Sequence, residues 1–594
     1  MTAPPSSLPD TDIGVSAFNS TTVVEAAYKQ IKGEIQLLEA GIRVWKTRYN
    51  TLSIIARLPP EILSTIFKCI AAASQQWIAS YNYRTRWINV THVCSYWRRV
   101  ALEDPSLWTN IPFSHPRWAK EMLERSKGAS LTIVADLYAK NSSHMELVRS
   151  ALTRISRIQK LSLTQNSNEN LLETTLWGLV EPAPRLESLK VSFNDINSVH
   201  RLPLRIFSGE APRLRELDLR DCALTWDAPF LRGLTSLKMS SIPLKARPSM
   251  SHILAALRNM PNLSTLVLRN ILPESSLDAA TGKLSPGLVA RLPQLTHLCI
   301  ESDVPEGAFL LDHLIYPLTV SITLVGTIKY ESANGAEASC KVPVLRSFCK
   351  VLGTSQPVRC LSAHHVSYSS CVQLKTYDTP GTCLHPPRNP KVDFTLKFGQ
   401  KYEPTSIKSC SDIHQALWTS IPMKDLESLQ VIDYNRSEEW SHIFTILAPT
   451  KLKNLRVVGG TIPFLRALSP DAPAPQTGRA KRRIPLKLPC LRELAIESWI
   501  FDEMTDDGIS CLKLLKICLE DRRKRRAAIK ELFLNDCGHI TSDDVKSLRE
   551  IVKNVDWDGC ENFSESGCEC GLPFCDGDDC EDNSDYDFVL GLPW

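Results

Sequence analysis

The chain has 594 residues, of which 43% are apolar and 23% charged, and its formal net charge is +4 at neutral pH. That balance excludes a disordered chain, and the length excludes a single compact core unless the sequence repeats. The opening residues, MTAPPSSLPDTDIG, hold neither a basic nor an apolar segment, and no run approaches the ~20 apolar residues of a membrane span. We therefore expect a soluble intracellular protein, cytoplasmic, nuclear or both, with no membrane partner. The 19 cysteines are mostly scattered singly through apolar segments, where they act as small buried hydrophobes, so no disulfide framework is expected. From Asn554 onward there are twelve Asp and Glu and no Lys or Arg, so an acidic tail follows a basic body.

In chain order, residues 1–22 are rich in Pro, Ser and Thr and read as a disordered N-terminus. Residues 23–56 form a heptad-patterned helix. Val24, Tyr28, Ile31, Ile35, Leu38, Ile42, Trp45, Tyr49 and Leu52 alternate steps of four and three, the a/d seam of four heptads. Aromatic side chains suit a dimer seam poorly, so we read the stripe as packing on its own chain, with a coiled coil to a second copy as the alternative.

Arg57-Leu58-Pro59-Pro60-Glu61-Ile62-Leu63 comes next and leads to Phe67. The prolines suit a first helical turn, and Glu61 complements the positive end of the helix. Ile62, Leu63, Ile66, Phe67 and Ile70 then make one apolar face. After the stretch Ala71–Asn89 come Val93-Cys94-Ser95-Tyr96-Trp97 and Asp104-Pro105-Ser106-Leu107-Trp108. Three short helices of this kind bury a small core and leave apolar side chains exposed near Leu58 and Ile62, which suggests a partner surface.

With its LPxEIL opening, VCxxW middle and PxLW close, the segment 57–112 resembles the F-box, in the longer form common among F-box-like proteins of fungi. The resemblance implies docking on a Skp-family adaptor, and through it on a cullin scaffold, by Leu58, Pro59, Glu61, Ile62, Leu63 and Ile66. It implies a domain core of Phe67, Val93, Cys94, Trp97, Leu107 and Trp108.

Over residues 130–550 an L-x-x-L-x-L pattern recurs. The copies are Ile158-Leu161-Leu163, Leu186-Leu189-Val191, Leu214-Leu217-Leu219, Leu234-Leu237-Met239, Leu263-Leu266-Leu268 and Leu295-Leu298-Ile300. A second group comprises Leu426-Leu429-Val431, Leu452-Leu455-Val457, Leu491-Leu494-Ile496 and Ile529-Leu532-Leu534. Asn166, Asn194, Cys222 and Cys537 follow four of these, and a proline often precedes the strand. Each copy reads as the strand of a leucine-rich repeat. The pattern thins between 301 and 425, where Val358–Leu361 and Phe394–Phe398 read as degenerate strands and Thr379–Pro390 as a proline-rich loop. A second such loop spans Ser469–Pro485. The expected fold is α/β, an N-terminal helical segment and a small all-α F-box-like domain followed by an irregular leucine-rich-repeat solenoid with insertions.

Catalytic signatures are absent: there is no HExxH, GxSxG, GxGxxG or GxxxxGK[ST]. The pair His364-His365 reads as a loop or strand surface. Cys560, Cys568, Cys570, Cys575 and Cys580 lie in the acidic tail, 555–594, without paired CxxC knuckles, so disorder is preferred over a zinc site. The basic runs Arg479, Lys481, Arg482, Arg483 and Arg522, Arg523, Lys524, Arg525, Arg526 are too short for a nucleic-acid face and read as solvated surface, with nuclear import as the second reading. The sequence thus predicts a non-enzymatic substrate-receptor adaptor of a ubiquitin ligase, without cofactor or metal, binding an unidentified target protein through its repeats. The alternatives are a ligase-independent repeat scaffold and a metal- or redox-responsive regulator acting through the tail.

Overall fold

The computed structural model describes residues 21–561 apart from internal segments, the longest being 275–287, 329–341, 399–416 and 469–485. Asn166, the first basic run, the second proline-rich loop, the N-terminal 20 residues and the tail cysteines beyond Cys560 lie outside the described residues. The fold is mixed α/β, with an N-terminal helical region and a long, mostly parallel sheet. It divides into two units, residues 1–163 with 183–186, and residues 164–182 with 187–594.

In the first unit α1 (Thr21–Thr51) is a single helix. Its heptad seam does not pack on the chain as we expected. Tyr28, Ile31, Ile35, Leu38, Ile42, Trp45, Tyr49 and Leu52 are all exposed. Ile54–Arg57 form a 3-10 turn, Leu58 is extended, and the core beyond is filled without α1. The core comes from α2 (Pro60–Gln76), a long 3-10 stretch at Tyr81–His92, α3 (Ser95–Glu103) and the short turn Pro105–Trp108. A parallel pair, β1 (Asn110–Ile111) and β2 (Leu131–Leu137), follows and is continued by β3 (Ile158–Gln165).

Asp104 ties these pieces together. Its carboxylate caps the Pro105–Trp108 turn by accepting from the Ser106 N–H (2.9 Å) and hydroxyl (2.6 Å). It also reaches α2, accepting from the Ser64 hydroxyl and pairing with Lys68 Nζ at 3.0 Å. Partial burial by itself would raise this carboxyl. The donors of Ser106, Ser64 and Lys68 together outweigh that and hold its pKa at about 2.

The second unit is built on short parallel strands in constant register. They are β4 (Ser188–Ser192), β5 (Glu216–Arg220), β6 (Ser236–Ser240), β7 (Thr265–Arg269) and β8 (His297–Asp303). Leu189, Leu217, Leu237, Leu266 and Leu298 stand side by side, as do Val191, Leu219, Met239, Leu268 and Ile300, and all ten are buried. Before each of β5, β7 and β8 the proline-marked segment closes a tight turn, in which the N–H of Leu214, Leu263 or Leu295 donates to the carbonyl three residues back.

β9 (Ser321–Ile328) continues this register, with Ile322 beside Leu298. The order then reverses. β12 (Val392–Phe398) lies parallel to β9, β11 (Cys371–Tyr377) runs antiparallel to β12, and β10 (Cys360–Val366) runs antiparallel to β11. The two expected degenerate strands are thus β10 and β12, and His364-His365 lies on β10. Neither β9 nor β11 was anticipated, because each alternates apolar and polar residues without the leucine spacing. From β10 the parallel order resumes through β13 (Ser428–Ile432), β14 (Asn454–Val458), β15 (Glu493–Glu497), β16 (Glu531–Asn535) and β17 (Asn554–Trp557). The last strand takes up residues that the sequence assigned to the acidic tail.

A backbone feature recurs that leucine spacing does not announce. The residue just after β5, β6, β7, β14, β15 and β16 has positive φ: Asp221, Ser241, Asn270, Gly459, Ser498 and Asp536. The N–H of Asp221, Ser241, Gly459 and Ser498 donates to the last carbonyl of the following strand, and that of Asn270 to the Glu301 carbonyl within β8 at 2.7 Å. Small polar residues and glycine tolerate this left-handed conformation. Cys222 and Cys537, each one residue further on, fill buried niches as expected of them, whereas Asn194 has positive φ and is exposed.

In the second basic run Arg523, Lys524, Arg525 and Arg526 are exposed as expected, and Arg522 is not. Arg522, Arg523 and Lys524 end the helix Cys511–Lys524, where cations meet the negative end of the helix. Arg522 is buried and donates to the carbonyls of Lys487 (2.8 Å) and Leu488 (2.7 Å), and burial lowers its pKa to about 10.

Two outcomes follow from this architecture. Asp104 ionises more readily folded than unfolded, so it stabilises the fold above its ordinary value of 3.8, and this contribution fades as pH falls toward 2. Asp104→Asn should therefore lower stability by about 1 kcal/mol at pH 7, the shift discounted for solvent screening, with wild type and variant converging in denaturant melts as pH approaches 2. Asn270→Val should cost about 1–2 kcal/mol through its positive φ, seen as a lower urea midpoint, while Asn270→Gly leaves the midpoint nearly unchanged.

Candidate functional site

The partner surface that the sequence places around Leu58 and Ile62 rests on how α2 starts. Pro60 opens the helix, and the carbonyl of Pro59 accepts from the N–H groups of both Ile62 and Leu63 at 3.1 Å. The Tyr96 hydroxyl, from α3, donates to the Leu58 carbonyl at 2.8 Å and pins the approach to the helix. Leu58 is half-buried, while Pro59, Pro60 and Glu61 are exposed.

The helix then separates its apolar residues into two rows. Leu63, Phe67 and Ala71 recur every fourth residue and are buried, Leu63 completely. Ile62, Ile66 and Ile70 run alongside them, one residue earlier each time, and stay exposed, Ile62 at 48%. The single face inferred from sequence is therefore two faces about 100° apart. Leu63, expected at the docking surface, belongs to the core instead. Its side chain turns to the interior row because it sits four residues before Phe67 on the same helical stripe. Ile54, Ile55 and Ile70, which the sequence reading did not place at the site, extend the exposed apolar surface. Their isoleucine-rich spacing around Leu58 was the available signal.

The expected core also divides. Phe67, Leu107 and Trp108 are buried, and the Trp108 Nε1–H donates to the Ala101 carbonyl at 2.8 Å. Trp97 is half-buried with its ring 5.2 Å from that of Phe67, and the Cys94 thiol caps α3 by accepting from the Trp97 N–H at 3.5 Å. Val93 is no core residue: it is 58% exposed, because it lies in the turn before the α3 cap. Its place is taken by Trp87, Ile88 and Val90. The Trp87 ring lies 5.0 Å from that of Trp108, so the stretch after α2 completes the core rather than interrupting it. The Arg125 guanidinium covers Trp108 at 4.5 Å.

The second unit offers an open sheet face. Residues that alternate with the buried leucines are Lys190 on β4, Asp218 on β5 and Lys238 on β6. Lys190 and Asp218 pair at 3.7 Å. Over β13 and β14 this face is crossed by the proline-rich loop. The Gly381 carbonyl accepts from the Ser428 hydroxyl (2.8 Å) and from Asn454 Nδ2 (3.2 Å), and the Leu384 carbonyl accepts from Arg456 at 2.8 Å. Arg456 also holds Glu497 on β15. Among the described residues no cluster of His, Cys, Asp and Glu is arranged to hold a metal ion, and no helix is long and apolar enough to cross a membrane.

No curated protein matches this sequence. A crystal structure of a protein from Bacteroides fragilis is similar at 9% identity over 71% of this chain and 86% of its own, with a TM-score of 0.21. The F-box-like family model matches residues 55–114, which spans the two rows of α2, the tryptophan core and the Asp104 cap. That segment of the chain is an F-box-like domain.

Proposed function

We propose that this chain is a substrate-receptor adaptor of a cullin–RING ubiquitin ligase, docking a Skp-family adaptor through its F-box-like domain and a target protein through its sheet. The observation that carries the reading is the exposed row Ile62, Ile66 and Ile70 beside the presented Leu58-Pro59-Pro60-Glu61 segment. A folded domain that leaves three isoleucines in line on one helix has the form of a helix-in-groove ligand, in which apolar anchors supply affinity and a few polar groups set register. The family match supports the same partner, since F-box-like domains generally bind Skp-type adaptors.

In this reading the second unit is an irregular leucine-rich-repeat solenoid. Constant strand register, the proline-marked turns before β5, β7 and β8 and the left-handed residues that follow six of the strands support that reading. Its open face and the loop across β13 and β14 would hold the target near the ubiquitin-charged enzyme. The chain itself makes and breaks no bond, and its effect is a raised effective concentration.

Co-purification of the full chain with a Skp-family adaptor tests the proposal. Ile62→Asp with Ile66→Asp should lower adaptor binding by at least about a hundredfold, the loss of two buried anchors, with circular dichroism and melting unchanged because both residues are exposed. Leu63→Ala should instead lower the domain's stability by about 2–5 kcal/mol. Wild-type protein that captures no adaptor, or a double variant that binds as well as wild type, would refute the adaptor reading.

A further inference from the structure

The structure leaves α1 as a helix of 31 residues whose apolar seam is covered by none of the described residues. Along that seam Tyr28, Ile31, Ile35, Leu38, Ile42, Trp45, Tyr49 and Leu52 are between 47% and 78% exposed. Taking Val24 as a d position makes Tyr28, Ile35, Ile42 and Tyr49 the a positions. The flanking e positions are then Glu25, Lys32, Glu39 and Lys46, and the g positions Ala27, Glu34, Gly41 and Arg48.

The alternating signs at e select a partner and an orientation. We propose that α1 pairs with α1 of a second copy as an antiparallel coiled coil. In that arrangement e residues face e residues. When the dyad falls between Gln36 and Leu37, in the middle of the helix, Glu25 meets Lys46 of the second copy and Lys32 meets Glu39. Each contact occurs twice, so all four flanking pairs are complementary. The g positions meet as Ala27 with Arg48 and Glu34 with Gly41, and no like charges face each other.

The same register orders the core. Each a residue packs beside a d residue of the other helix: Tyr28 with Trp45, Ile42 with Ile31, Ile35 with Leu38, and Tyr49 with Val24. The bulky Tyr49 is thereby set against the small Val24, and no aromatic faces its own copy, although Tyr28 and Trp45 share a layer. A parallel pair fares worse. There g faces the e residue five positions on, so Glu34 would meet Glu39 twice, Lys32 and Lys46 would face Ala27 and Gly41, and no attractive pair would form. Gly41, with open space around its Cβ position, leaves room beside the Trp45 layer. The apolar seam supplies affinity, while the exposed ion pairs fix orientation and register. The two helix C-termini, from which the F-box-like domains follow, then stand on the order of 45 Å apart.

Sedimentation of the full chain tests this, with charge variants on α1. Wild type should be dimeric at micromolar concentration. Lys32→Glu with Lys46→Glu makes every e position acidic, and Glu25→Lys with Glu39→Lys makes every e position basic. Each variant alone should dimerise at least about tenfold more weakly at low salt, and an equimolar mixture of the two should recover a dimer containing one of each. Ile35→Asp with Leu38→Asp should give a monomer with unchanged melting. A monomeric wild type, or a dimer that survives Ile35→Asp with Leu38→Asp, overturns the proposal. So does a mixture of the acidic and basic variants that associates no better than either alone. Adaptor capture by a monomeric variant separates this result from the adaptor reading, which does not depend on it.

Discussion

Parallel strands of five residues have no independent existence: each needs a neighbour on both sides for its backbone hydrogen bonds and a shared interior for its side chains. In the second unit that constraint fixes nearly everything else. Equal strand lengths keep Leu189, Leu217, Leu237, Leu266 and Leu298 in one row. A slip of one residue would turn a row of leucines to the open face. The left-handed residue after β5, β6, β7, β14 and β15 serves the same end, spending a conformation that few side chains tolerate to carry the hydrogen-bonded register one step past the strand. Even the reversed order of β10 to β12 obeys it, since the meander presents parallel-facing edges to β9 on one side and to β13 on the other.

The parts of the fold that could be read from sequence are those in which one residue type does one job. Leucines spaced three and two apart located ten strands because burial leaves little freedom at those positions. β9 and β11 escaped because isoleucine, valine and threonine satisfy the same alternation without the spacing. Arg522 escaped for a different reason. A run of five basic residues looks uniform in sequence, yet the helix turns one of them inward, where two orphan carbonyls take up its guanidinium donors. Spacing alone cannot say which of five like charges will be the buried one.

The F-box-like domain shows the same limit at finer grain. Its motifs were legible, and so was the presence of an exposed apolar surface, but the division between surface and core was not. Leu63 and Ile62 are adjacent and chemically alike, and only the packing of α2, with Phe67 against Trp97, assigns one to each side. Trp87 entered the core from a stretch that looked like an insertion, because a third tryptophan was needed to fill the space beside Trp108.

Along strands such as β5, β6 and β7, the parity of a residue decides whether it holds the fold or faces outward. Lys190, Asp218 and Lys238 share strands with leucines that cannot change, yet their own side chains bear on nothing that the interior requires. The demands of the fold are thus written on alternate letters of the same strand. Substitution of the outward letters passes through almost no unstable intermediates, and that freedom ends where the loop from Thr379 to Pro390 fastens its carbonyls to Ser428, Asn454 and Arg456.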